Sequence, residues 1–189
     1  MKKLLVVATL FATIFACSPL FGQAFRYDSF KRGQHELGLL AGYGENHQIP
    51  AATKDHLVFD VLKTRYARFN SPTSQSALEL CVGKQFEGQH NYSISAVTSY
   101  RKYFIQRGST ALSYDLSFGL IHFYEHVQEL GTTTNFTEQV GLTFQHATTQ
   151  NSAFTLEYRF IHASNAGIKL PNIGINSSFL TIGYSWYKD

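Results

Sequence analysis

The sequence predicts an all-β fold, an eight-stranded antiparallel transmembrane β-barrel. Three observations predict it. Beyond an apolar leader, eight stretches with period-two alternation follow one another, and eight is the smallest even strand number such barrels use. The stretches run from 10 to 15 residues. A globular strand averages about 5–6 residues, whereas a tilted strand needs about 9–11 to cross a bilayer. The composition is rich in aromatics, with 11 Tyr and 16 Phe, and only 15% of residues are charged.

Residues 1–24 read as a secretory signal. Lys2 and Lys3 form a basic start, 4–16 is apolar but too short for a membrane helix, and Gly22-Gln23-Ala24 offers small residues at a cleavage site. Cys17 raises lipoprotein processing as a rival, which Phe15 fits poorly. The barrel domain is then 25–189, with 25–32 a short basic lead-in. Without Lys2 and Lys3, 14 basic residues face 13 acidic ones, so charge balance argues for no nucleic-acid partner. Cys81 alone remains after cleavage, which excludes an intrachain disulfide. No later run of 18 apolar residues marks a membrane helix.

The expected strands are 34–43, 55–66, 76–86, 92–105, 111–124, 133–147, 153–164 and 177–187. Alternation is sharpest in the last four. Leu112, Tyr114, Leu116, Phe118 and Leu120 oppose Ser113, Asp115, Ser117 and Gly119. Phe136, Val140, Leu142 and Phe144 oppose Asn135, Thr137, Gln139, Gly141 and Thr143. In the last strand Leu180, Ile182, Tyr184 and Trp186 oppose Thr181, Gly183 and Ser185, and Tyr184 with Trp186 read as an interfacial girdle. One greasy face and one small, polar face is the pattern of a barrel with lipid outside and hydrogen-bonded groups inside. The second and fourth strands alternate poorly, which predicts bulges there. Lys63, Arg65 and Arg68 read as charges at the periplasmic end, with contact to phosphates as the other reading. Connections at 70–75, 106–110 and 148–152 are short, and those at 44–54, 125–132 and 165–176 are longer, as periplasmic turns and external loops are. The connection at 86–91 is the exception, short on the external side.

The seventh strand carries the chemistry. Tyr158, Phe160, His162 and Ser164 share one face, and Arg159, Ile161 and Ala163 the other. With termini on the periplasmic side the seventh strand climbs outward, so His162 and Ser164 face lipid at the level of the outer leaflet. A His and a Ser two residues apart on one strand face can form a base and nucleophile. A loop follows, marked by Asn165, Gly167, Pro171, Asn172 and Gly174.

The run His162-Ala163-Ser164-Asn165-Ala166-Gly167, followed by Pro171-Asn172 and Gly174, resembles the signature of the lipid A 3-O-deacylases, the PagL-type outer-membrane esterases. The resemblance is specific over about 160–174 and architectural elsewhere. It implies an enzyme of the bacterial outer membrane that removes a 3-O-linked hydroxyacyl chain from lipid A, the membrane anchor of lipopolysaccharide, with no metal and no cofactor. Ser164 would be the nucleophile and His162 its base. Asn165 and the backbone near Gly167 would be oxyanion donors, and Asn172 would fix the loop. The family carries a Glu where this chain has Asn176. An amide can orient an imidazole but cannot stabilise the imidazolium by charge. Either the enzyme is weak, or Asn176 suffices, or another acid replaces the Glu; Glu138 is the candidate for that acid, and a solvated carboxylate at headgroup level is its other reading. Pairing Ala147 with Ser152 across the turn sets Glu138 diagonal to His162.

His122 and His146 share outward parity without metal-ligand spacing, and read as interfacial histidines. Other readings stay open: a non-catalytic structural or adhesive barrel, a phospholipase or acyltransferase using the same pair on another lipid, and a soluble lipid-binding barrel. Monomer and homodimer are both compatible with the sequence.

Overall fold

A computed structural model describes residues 26–27, 30–47, 57–87 and 90–189. The signal reading and Cys17 lie outside these residues. Eight antiparallel strands close into a barrel in chain order: β1 (His35–His47), β2 (Val58–Ser71), β3 (Ser74–Glu87), β4 (Tyr92–Arg107), β5 (Thr110–Phe123), β6 (Thr134–Ala147), β7 (Ser152–Ser164) and β8 (Ile175–Lys188). Closure pairs β1 with β8 and removes every sheet edge. Each strand makes its hydrogen bonds to two neighbours, so no ladder group faces hydrocarbon unpaired.

The register fixes the geometry. From His47 the paired residues run through Asn176, His162, Glu138, Phe118, Thr98, Leu78 and Tyr66 to Leu37, back on β1 and 10 positions lower. A stagger of 10 over eight strands, at about 3.3 Å per residue and about 4.8 Å between strands, tilts the strands by about 41°. Each step from β1 through β8 and β7 to β6 therefore descends by about 3 Å, and each residue along a strand spans about 2.5 Å of depth.

The expected bulges are present. Asn70 on β2 and Phe104 on β4 are the unpaired extra residues, and Phe86 is another on β3. The pairing of β6 with β7 differs from expectation by one residue. Ala147 pairs with Ala153, because the Ser152 carbonyl and hydroxyl are held inside the turn by Thr148 and Thr149. Residues directly opposite in a ladder share a face, which excludes an offset of one residue between outward Glu138 and outward His162; they pair directly.

The outer wall is apolar: Leu62, Leu78, Ile94, Leu116, Phe118 and Leu142 are each at least half exposed. Tyr184 and Trp186 belong to this wall at the short-turn end. The interior is layered. At the short-turn end Tyr27 and Phe30 of the lead-in pack with Phe69, Tyr103 and Tyr187 and fill the mouth. At the opposite end Leu57, Phe59, Val61, Phe123, Val127, Leu130 and Ile175 form an apolar cap over a cavity of about 70 Å3.

Between these layers lies a buried charge network, and here the reading of Lys63 and Arg65 is corrected. Both point into the lumen rather than to the periplasmic rim; Arg68 alone of the three is exposed on the wall. Lys63 bonds Glu157, and Arg65 bonds Glu79. Arg101 reaches Asp115 at 2.8 Å, and Arg159 reaches Glu79 at 2.7 Å and Glu157 at 3.0 Å. Glu36 accepts from Gln75 and from Ser185, each at 2.7 Å. Four cations thus meet four carboxylates away from water, where only mutual pairing offsets desolvation.

Candidate active site

His162 and Ser164 lie at the long-loop end of β7, on the outer wall. The strand delivers them there because Arg159, buried in the network, and Ala163, buried in the lumen, fix the inward parity. On one side His162 pairs with Glu138 of β6, and on the other with Asn176 of β8. The imidazole chooses β8: Nδ1 lies 2.8 Å from the Asn176 Oδ1. A carboxamide oxygen only accepts, so the proton sits on Nδ1 and Nε2 keeps its lone pair. Glu138 is exposed, and among the described residues it makes no hydrogen bond or ion pair. Nor, among them, is a hydrogen bond formed between His162 and Ser164.

Gly174 lies against the imidazole. A Cβ there would stand 2.8 Å from His162 Cε1, and its φ of +80° disfavours any other residue. Gly174 therefore sets how deeply the ring can sit against β8.

The chain turns sharply after Ser164. Ala166 and Gly167 both take left-handed backbone angles, φ 54° and 78°, and the Ile168 N–H closes the turn on the Asn165 carbonyl at 3.1 Å. Among the described residues the amides of Ala166 and Gly167 have no partner. Asn165 is buried, and its Nδ2 donates to the Lys169 carbonyl at 2.6 Å, so its side chain pins the loop rather than pointing at Ser164. Asn172 accepts the Asn165 N–H at 2.9 Å. The 165–174 loop rests on the neighbouring external loop: Ile173 donates to the Glu129 carbonyl at 3.0 Å, and Leu130 bridges Asn172. Ile168 and Leu170, 73% and 83% exposed, project from it.

His122 and His146 each hydrogen-bond a threonine across the ladder, Thr134 at 2.8 Å and Thr110 at 3.2 Å. Among the described residues no group of three His, Cys, Asp or Glu could hold a metal ion.

The lipid A 3-O-deacylase (PagL) family model matches residues 59–185, two thirds of the chain and the whole of this site. The chain belongs to that family. Solved structures agree on the fold of this PagL-family barrel. The outer membrane enzyme PagL is 20% identical, with 80% of this chain and 98% of that chain covered at a TM-score of 0.55. Neisserial surface protein A is 15% identical, covering 82% and 98% at 0.62. OprG from Pseudomonas aeruginosa is 9% identical, covering 85% and 98% at 0.55. No curated protein matches the sequence. Family and fold place the PagL-family chain in the bacterial outer membrane.

The sequence reading missed three polar residues near this site. It ends the first strand at Tyr43, whereas β1 continues to His47; extending the outward parity of Leu37, Leu39, Ala41 and Tyr43 reaches Glu45 and His47. It also left Ser178 unremarked on the outward face of β8.

Proposed function

We propose that this chain is a serine esterase of the outer leaflet that releases the 3-O-linked acyl chain of lipid A. The observation that carries the proposal is the His162–Asn176 bond on the lipid-facing wall. It leaves Nε2 as a base on the face that Ser164 shares, two residues on. Ser164 Oγ attacks the ester carbonyl carbon while its proton passes to His162 Nε2. The free amides of Ala166 and Gly167 receive the developing oxyanion, which their left-handed turn exposes beside Ser164. Collapse breaks the bond to the sugar oxygen, which takes the proton back from His162. Water, deprotonated by the same nitrogen, then frees the acid from Ser164. The hydrogen bond between His162 and Ser164 forms as substrate seats the hydroxyl.

Asn176 holds the tautomer and orientation. It adds no negative charge, so the imidazolium is stabilised less than by the family's Glu. Glu138 is directly across from His162 but on the far side from Nδ1, so we assign the orienting role to Asn176. Ile168 and Leu170 suit contact with acyl chains at the loop's base.

Mass spectrometry of lipid A from outer membranes expressing the chain tests the proposal. Loss of one 3-hydroxyacyl chain, absent with Ser164→Ala, is the expected result. Intact lipid A from a folded, membrane-inserted protein would refute it. Labelling of Ser164 by a fluorophosphonate separates an esterase acting on another lipid from a non-catalytic barrel, the reading that the missing acid favours.

A further inference from the structure

A second polar constellation sits on the same wall, on the far side of Asn176. Ser178 Oγ lies 2.6 Å from His47 Nε2 and 2.8 Å from the Tyr158 hydroxyl. Three strands converge on it, β1, β8 and β7. The His47 ring stacks on Phe160 with centroids 6.0 Å apart and planes 12° from parallel. None of these groups belongs to the proposed acyl-transfer machinery. Phe160 and Leu180 flank them on the wall, so on those sides the bilayer supplies little water to satisfy them.

A Ser–His couple invites reading as a second nucleophile. Its position argues against that. Ser178 is within β8, where the backbone amides are paired with β7 and β1, so no free N–H pair is at hand for an oxyanion. Nor is the site built for an anion, because Glu45 stands directly across from Ser178 on the same face. What the cluster does offer is both hydrogen-bond senses. If Ser178 donates to His47 Nε2, the His47 Nδ1–H is left as a donor, and oxygen lone pairs on Tyr158 and Ser178 are left as acceptors. A hydroxyl is the ligand that both gives and takes.

Depth narrows the choice. The stagger of the barrel puts His47 within about 1 Å of the depth of Ser164, and Ser178 about 7 Å beneath it. Laterally, β8 is one strand from β7, close to the width of one hydrocarbon chain. A hydroxyl a few Å below the scissile ester, on the neighbouring chain of the same lipid, falls inside this ladder.

We propose that Tyr158, Ser178 and His47 form a specificity subsite for the hydroxyl of a second 3-hydroxyacyl chain, the one beside the chain being cleaved. This rests on the esterase reading of the site. Its consequence is selection for hydroxylated lipids over lipids with plain chains, which also surround the barrel.

The test measures retention rather than turnover. Ser164→Ala protein in detergent micelles is loaded with a glucosamine phosphate carrying ester-linked and amide-linked 3-hydroxyacyl chains, or with its analogue lacking the hydroxyl on the amide-linked chain. Native mass spectrometry reads the bound fraction. The hydroxylated probe should be retained roughly threefold to tenfold better, the range expected of one hydrogen bond in lipid. Ser178→Ala or Tyr158→Phe, added to Ser164→Ala, should erase the difference, and Ser178→Thr should keep it. Heat-modifiable electrophoretic mobility confirms a folded barrel for each. Equal retention of the two probes, or a preference that survives Ser178→Ala, overturns the proposal. Failure of the esterase reading shows separately, as wild-type protein that leaves both probes uncut.

Discussion

Asn176→Asp is the substitution that most directly probes the proposed mechanism. Asp is nearly isosteric with Asn, so a carboxylate oxygen would take the place of the Oδ1 now 2.8 Å from His162 Nδ1. The change adds a negative charge about 4 Å from the centre of the imidazolium that forms during attack. At an effective dielectric of about 20, that attraction is about 4 kcal/mol. The neutral hydrogen bond it replaces contributes about 1 kcal/mol. The difference, about 3 kcal/mol, corresponds to roughly a hundredfold in rate. This is smaller than the roughly 10⁴ that separates acid from amide in a buried protease triad, as expected at the edge of a headgroup layer. The assay is the initial rate of fatty-acid release from lipid A, with barrel folding checked by electrophoretic mobility. A rate within about threefold of wild type, or below it, would refute the claim that Asn176 faces the developing charge.

Other expectations follow from the same geometry. Asn176→Ala should lower the rate at least about tenfold, whereas Glu138→Gln should lower it less than about threefold; the reverse order would move the orienting role to Glu138. Gly174→Ala should cut kcat by about tenfold or more with the barrel intact, since its Cβ would meet His162 Cε1 at 2.8 Å; rate assays and thermal unfolding separate the two effects. Asn172→Ala strands the Asn165 N–H at a cost of about 1 kcal/mol and should free the loop, read as a raised KM and faster amide exchange at Asn165. Arg159→Met leaves Glu79 and Glu157 short of a cation in the lumen, and should cost about 3–5 kcal/mol in unfolding free energy, read by equilibrium denaturation in detergent.

Much of the architecture is legible because a barrel wall has two chemically opposite faces. The alternation of Leu112 to Leu120, or of Leu180 to Trp186, needs no knowledge of the partner strand. The lumen is another matter. Arg65 finds Glu79 across the β2–β3 hairpin, but Lys63 finds Glu157 and Arg65 nears Asp115 on strands far along the chain, so a local window sees only stray charges in β2 and assigns them to the rim. The slip between β6 and β7 arises in the turn, where the Ser152 side chain is drawn to Thr148 and Thr149. Parity alone excluded the expected register, since an outward residue cannot lie opposite an inward one. At the site, the shared face of His162 and Ser164 could be read from β7 by itself, and their end of the barrel from the strand count and the alternation of short and long connections. The contact of Gly174 with the imidazole, the capture of the Asn165 amide by Lys169, and the meeting of His47 with Ser178 could not, because each joins segments that only barrel closure or a loop fold brings together.

Because His162 and Ser164 stand on the convex side of the barrel, the protein encloses no more than half of whatever they act upon. The other half of the enclosure is the bilayer. Under the proposed esterase reading, its packing, its lateral pressure and the identity of neighbouring lipids would become parts of the catalyst as surely as any side chain. A change of detergent, of divalent-ion bridging between headgroups or of growth temperature would then alter the working site without altering a residue. Activity would follow the physical state of the leaflet, which makes such a barrel a reporter on the membrane as well as an agent upon it.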